Sequence, residues 1–228
     1  MAGPKAAAAA EARDQDRRKT ILRAAVEVFA RKGYHGCRIA DVAKEAGVAY
    51  GLVYHYFRNK EELLQLVFET GWGGFLSRIR DAAEMNASLE AKIQRIAQVA
   101  FEAYRIDPRG VRVLVLEFAR SPSAGEANRR TAFAEVLGIL ERMFEKARGR
   151  GELREGLEPA LCAAMLFGSV EMSLTSLVMG LFDAKDPGLL TQAQVQLTSL
   201  FLDGVRAEGL EPRRKTGSTL RLKPVKRS

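Results

Sequence analysis

Residues 33–60 read GYHGCRIADVAKEAGVAYGLVYHYFRNK, and their spacing decides the fold. Ile39, Val42, Ala43, Ala46, Val48, Leu52, Val53 and Phe57 recur at helical intervals, which predicts one apolar face carried through two short segments. The run breaks once, at Gly47, where a residue without a side chain can take the left-handed conformation that ends a helix. Two short helices across a turn of about three or four residues form the arrangement whose second helix enters the major groove of DNA. The same pattern also serves an ordinary helix pair in a core. The second helix weighs against that simpler reading. Tyr50, Gly51, Tyr54, His55 and Tyr56 set hydroxyls, an imidazole and bare backbone where a structural helix carries Lys, Glu or Ala.

Around this stretch lie a helical run from Arg17 to Lys32, then Gly33-Tyr34, Ile39-Ala40-Asp41-Val42-Ala43, Ala46-Gly47-Val48, Tyr54-His55-Tyr56-Phe57 and Lys60-Glu61-Glu62-Leu63. In residue type and spacing, residues 17–77 resemble the DNA-binding domain of the TetR family of bacterial repressors. The resemblance implies that Tyr54 meets a phosphate while Tyr50 and Gly51, at the start of the reading helix, approach base edges. Lys60 would grip the DNA backbone, and Ala49 and His55 complete the DNA-facing set. Family members often carry Thr where Cys37 stands and Ser where Ala49 stands, as helix caps or phosphate donors. Arg38 is the nearest residue able to replace one of those contacts.

Charge placement agrees with a nucleic-acid partner. The net charge of +8 is concentrated on residues 17–60, where ten Lys and Arg face Glu27, Asp41 and Glu45, and on residues 212–228, which hold seven cations and no acid. Phosphate neutralisation by Lys and Arg supplies most non-specific DNA affinity, so the segregation is more telling than the total. At 228 residues and 47% apolar content, the chain can bury one sizeable core or two small ones. Residues 1–12 lack a signal-peptide core. Leu161–Phe182, the most apolar run, is interrupted by Glu171 and reads as a buried helix, so no membrane partner and a cytoplasmic location are expected.

Cys37 and Cys162 have no metal-ligand spacing, and both histidines, His35 and His55, fall in the DNA-reading segment. With no Gly-rich phosphate loop and no nucleophile elbow, the chain offers no catalytic residue, metal site or cofactor site. An enzyme is therefore a weak rival. A second rival is a nucleoid-type DNA binder without ligand response, suggested by the basic tail.

The whole chain reads as helix, with Pro108, Pro122, Pro159 and Pro187 at element edges. Helices are predicted at about 14–32, 39–46, 50–56, 60–84, 88–106, 109–120, 125–150, 158–183 and 188–207. The fold class is all-α: a homeodomain-like three-helix reader over 17–77 and a helical sensor and dimerisation domain over 78–210. A flexible arm over 1–16 and a disordered basic tail over 211–228 flank them. Gly71, Gly73 and Gly74 weaken the fourth helix, serving either close packing or compliance.

Two late stripes fit self-association. Met165, Met172 and Met179 line one face of the eighth helix among small residues, and Leu190, Leu197 and Leu200 recur on the ninth. The family resemblance implies that these helices form a four-helix bundle in a homodimer. A dimer suits a palindromic double-stranded operator, because one short helix covers a half-site. Phe101, Tyr104, Phe118, Phe133 and Phe167 predict an apolar lining for a hydrophobic effector, and Arg105, Arg109 and Arg112 cluster where the fifth and sixth helices meet.

Within the family, Glu152-Leu153-Arg154-Glu155-Gly156-Leu157, Met165-Leu166-Phe167-Gly168-Ser169-Val170-Glu171 and Val178-Met179 are similar to the FadR branch. That likeness implies a repressor released by long-chain acyl-CoA. The alternative is a regulator of multidrug efflux that answers to aromatic or cationic drugs.

Overall fold

The computed structural model describes residues 4–118, 126–182, 186 and 188–205. Those residues are helical almost throughout, with no extended strand among them. They divide into two compact units, one made of the residues through Trp72 together with Arg112–Phe118, the other of Gly73–Val111 and the described residues from Glu126 on. The expected boundary at 77/78 thus falls at Trp72/Gly73, and one segment from the middle of the chain groups with the reader. The basic tail lies outside the described residues.

The reader is built on α1 (Pro4–Gly36), α2 (Ile39–Ala46), α3 (Tyr50–Tyr56) and the first turns of α4 (Lys60–Glu84). The structure corrects the flexible arm: helix begins at Pro4. Proline suits a first helical turn and the alanines at 6–10 have the highest helix propensity of any residue, so the arm propagates from the helix behind it. α1 breaks at Gly33, whose φ of 71° and ψ of 163° are open to glycine alone.

α2 starts where the Arg38 backbone N–H donates to the Asp41 carboxylate at 3.0 Å, which does the capping that Cys37 cannot. It ends at Gly47, left-handed at φ 66°, with the Val48 N–H returning to the Ala43 carbonyl. α4 opens on a reciprocal cap, Glu62 N–H to Asn59 Oδ1 at 2.8 Å and Arg58 N–H to Glu62 Oε2 at 2.6 Å.

Ile21, Val28, Phe29, Val42, Val53, Phe57, Leu63 and Leu64 close the reader's core, and Val113 joins them with no exposed surface. Val113 belongs to a π-helical segment, Val113–Phe118, that continues a short α6 (Pro108–Arg112). Burying side chains of this size is worth roughly 1.5–3 kcal/mol each, so α3, seven residues long, is held by Val53 and Phe57 rather than by its own helix propensity.

The second unit packs α5 (Leu89–Ile106), α7 (Glu126–Gly149), α8 (Pro159–Val178) and α9 (Leu189–Val205) around Ile93, Ile96, Leu140, Phe144 and Leu166. Ser88 caps α5 through Ala91 N–H, and the Glu152 carboxylate takes the Leu89 N–H as well. α8 is long and apolar enough to cross a membrane, yet it lies in this core, with Leu166, Val170 and Leu174 buried. Of the three α4 glycines, Gly71 faces the Leu114 methyls 3.5 Å from where its own methyl would stand, whereas Gly73 and Gly74 face open space.

Candidate nucleic-acid interface

With Val53 and Phe57 committed to the core, the opposite side of α3 is turned outward. Tyr50 and Tyr54 are 53% and 45% exposed. One helical turn apart, their rings meet edge-on at 5.2 Å and their hydroxyls lie 3.2 Å from each other. Each phenol limits the other's motion, so less side-chain freedom is lost when DNA arrives. The Tyr50 hydroxyl raises the Tyr54 pKa; a phenol is protonated at neutral pH in any case, and so can donate to a phosphate oxygen. His55 is exposed and sits edge-on to Tyr56 at 5.1 Å. Ala49 is the residue before α3 and contributes no side-chain cap. Arg38 is exposed at the head of α2.

Gly51 lies between the two tyrosines, and nothing in the protein comes within 4 Å of where its methyl would be. The fold does not require glycine there, and a bare backbone leaves room for the close approach of a duplex. Gly51→Ala is therefore expected to raise thermal stability, by about 0.5–1 kcal/mol of helix propensity, while weakening operator binding. Melting and fluorescence anisotropy on the same preparation check this, and unchanged DNA affinity would remove Gly51 from the contact surface.

Lys60 stands differently from its expected backbone grip. Its ammonium donates to the Tyr34 and Cys37 carbonyls at 2.8 and 3.1 Å and lies 4.3 Å from the centre of the Tyr34 ring. Two of its three donors thus hold the turn from α1 to α2. The Tyr34 hydroxyl donates to Glu61 at 2.7 Å, which lowers the Glu61 pKa, and the Tyr34 N–H donates to the Glu117 carboxylate at 2.7 Å. Glu117 and Tyr34 are far apart in sequence, and no local pattern announces their meeting. Beneath this turn the Cys37 thiol is buried, and burial pushes its pKa up to about 11.

In the second unit, Phe101 is buried, Tyr104 is half-buried with its hydroxyl 3.4 Å from the Leu177 carbonyl, and Phe133 and Phe167 meet edge-on at 5.6 Å. Arg105 and Arg109 are exposed at the junction of α5 and α6. Phe118 ends the π-helical segment, and its side chain lies outside the described residues.

Met165, Met172 and Met179 are 63%, 64% and 53% exposed, and Leu200 is 76% exposed. Leu161 and Val195 are also exposed and were not anticipated. Leu190 is half-buried. Leu197 is a correction: it is 9% exposed, packed in its own subunit's core, because a helix apolar on two sides does not reveal by periodicity which side its own chain covers.

A three-helix unit whose second short helix presents tyrosines and a bare glycine to solvent, joined to a separate helical unit, is a helix-turn-helix DNA-binding regulator. The chain belongs to the TetR family. The profile of bacterial regulatory proteins of the tetR family matches residues 21–67, and that of the C-terminal region of YsiA-like proteins matches residues 68–194. The fatty acid metabolism regulator protein of Bacillus subtilis is 32% identical over 159 residues, 70% of this chain and 82% of that one.

Among solved structures, the fatty acid degradation regulator FadR from Bacillus halodurans superposes with a TM-score of 0.73 at 27% identity, covering 93% of this chain and 100% of its own. FadR from Bacillus subtilis in complex with stearoyl-CoA gives 0.71 at 30% identity, covering 83% and 100%. As a bacterial transcriptional regulator the chain acts in the cytoplasm and is not an enzyme.

Proposed function

We propose that the chain is a dimeric, nucleoid-associated repressor that leaves a palindromic operator when a long-chain acyl-CoA occupies its second unit. The observation that carries this reading is the likeness to the Bacillus subtilis regulator solved with stearoyl-CoA, matched over its whole length. The residues are chemically suited to such a ligand. Phe101, Tyr104, Phe133 and Phe167 offer apolar and aromatic surface to a chain, and Arg105 and Arg109 offer guanidinium groups to phosphates.

The same stretch of polypeptide supplies a route to the reader. It begins at Arg105 and Arg109 and continues to Val113, buried in the reader's core, and Glu117, bonded at the break of α1. A displacement of this strap shifts the turn that orients α2 and α3. The effector then favours a conformation in which two reading helices no longer fit successive major grooves, which lie about 34–36 Å apart.

Palmitoyl-CoA is expected to dissociate the protein from its operator, with free CoA inert, because each buried methylene contributes about 0.8 kcal/mol and allosteric coupling needs about 1–3 kcal/mol. Operator DNA should weaken palmitoyl-CoA binding by the same factor. Ala100→Phe, which enlarges a buried position on α5, should shorten the preferred chain without altering DNA affinity in the absence of ligand. Equal response to short and long acyl chains, or response to a flat aromatic drug alone, would reject the acyl-CoA assignment and favour an efflux regulator.

A further inference from the structure

α1 starts at Pro4, whereas the family profile begins at residue 21, so several turns of helix precede the recognised reader. Those turns lie along the end of the reading helix. The Tyr56 hydroxyl, on the last residue of α3, donates to Asp14 Oδ1 at 2.5 Å, and the Arg18 guanidinium sits 5.6 Å from the centre of the Phe57 ring. The Tyr56 pKa is raised by Asp14 and drawn back by Arg17, so both side chains reach the same phenol. Residues 11–20 are exposed throughout.

Arg13 and Arg17 are four residues apart and share one face of α1. Neither forms a salt bridge among the described residues, whereas Arg31 and Lys32, further along the same helix, pair with Glu45 and Asp41. The acids near them are Glu11, Asp14 and Asp16, and of these Asp14 is engaged by Tyr56. Two exposed guanidinium groups that form no salt bridge among the described residues, with Arg17 at the phenol that ends α3, match the phosphates next in line along the duplex.

We propose that the turns of α1 ahead of residue 21 are a second DNA-contacting element, in which Arg13 and Arg17 neutralise phosphates flanking the half-site read by α3. It extends the footprint beyond the base pairs that the reading helix touches. Base selection stays with α3, because phosphate contacts carry no sequence information.

The test uses the full chain and a palindromic duplex selected from a random pool by the unaltered protein, prepared with and without ten flanking base pairs on each side. Anisotropy titrations across salt concentrations then compare R13Q/R17Q and R13K/R17K with the parent. On the flanked duplex, R13Q/R17Q is expected to lower the slope of log affinity against log salt by about 0.9 per arginine, roughly 3.6 for the four of a dimer. R13K/R17K should keep most of that slope. On the trimmed duplex the parent should still bind, which shows the reader intact, and R13Q/R17Q should match it. An unchanged slope on the flanked duplex would overturn the proposal. So would an equal loss on both duplexes, or a loss shared by the lysine variant, since either outcome would mark the arginines as structural.

Discussion

Met165→Glu combined with Met172→Glu is expected to convert the protein to a folded monomer that no longer holds its operator. Both side chains are nearly two-thirds exposed in the single chain, so charging them leaves the subunit core untouched and helical content intact. In a two-fold interface each glutamate would be buried without a cation, and each substitution would act twice. A monomer keeps one half-site and loses the gain of tethering two readers, which is commonly about a hundredfold to ten-thousandfold in affinity. Leu197→Glu is the instructive contrast. That residue is buried in its own subunit, so the same charge there should lower the melting temperature and helical content together. Sedimentation of the methionine variant decides the matter: a persistent dimer would place the interface elsewhere.

The second large effect is expected at Gly33. Its backbone is in a region closed to residues with a side chain, and the cost of forcing one there is on the order of 1–3 kcal/mol. The substituted methyl would also stand 3.6 Å from the Glu117 carboxylate, the group that accepts the Tyr34 N–H. Relief comes by re-forming the turn, which loosens Tyr34 from Glu117 and from Lys60 and re-aims α2 and α3. Gly33→Ala should therefore lower the melting temperature of the reader by several degrees, at about 4–8 °C per kcal/mol for a unit of this size, and abolish specific operator binding. Gly36→Ala is the control, because that glycine has ordinary backbone angles and only the Lys32 Cβ nearby at 3.8 Å. Equal behaviour of the two variants would refute the role given to the Gly33 break.

Much of the reader was legible in the sequence. The bounds of α2 and α3 follow from one glycine, Gly47, and from the apolar spacing on either side of it, since both signals are local. The exposed methionines of α8 were legible for a similar reason, as an apolar stripe beyond what one core needs. The helical start of α1 was misread although its signal was present. A run of alanine favours helix strongly, but an isolated terminal segment offers no apolar face, and nothing before the fold showed that Tyr56 would anchor Asp14. Val113 and Glu117 were not legible as reader residues at all. Their partners lie far off in the chain, and a buried valine or a bonded glutamate leaves the same trace in a sequence wherever its neighbour comes from. Lys60 shows the same limit: its residue type suits a phosphate, but two carbonyls reach it first.

Gly73 and Gly74 stand where α4 passes from one compact unit to the other, with no neighbour that a methyl would strike. Each weakens the helix by about 1 kcal/mol relative to alanine. Together they let that turn open on the order of thirtyfold more often than an alanine pair would. A helix with so soft a section bends there in preference to anywhere else along its length.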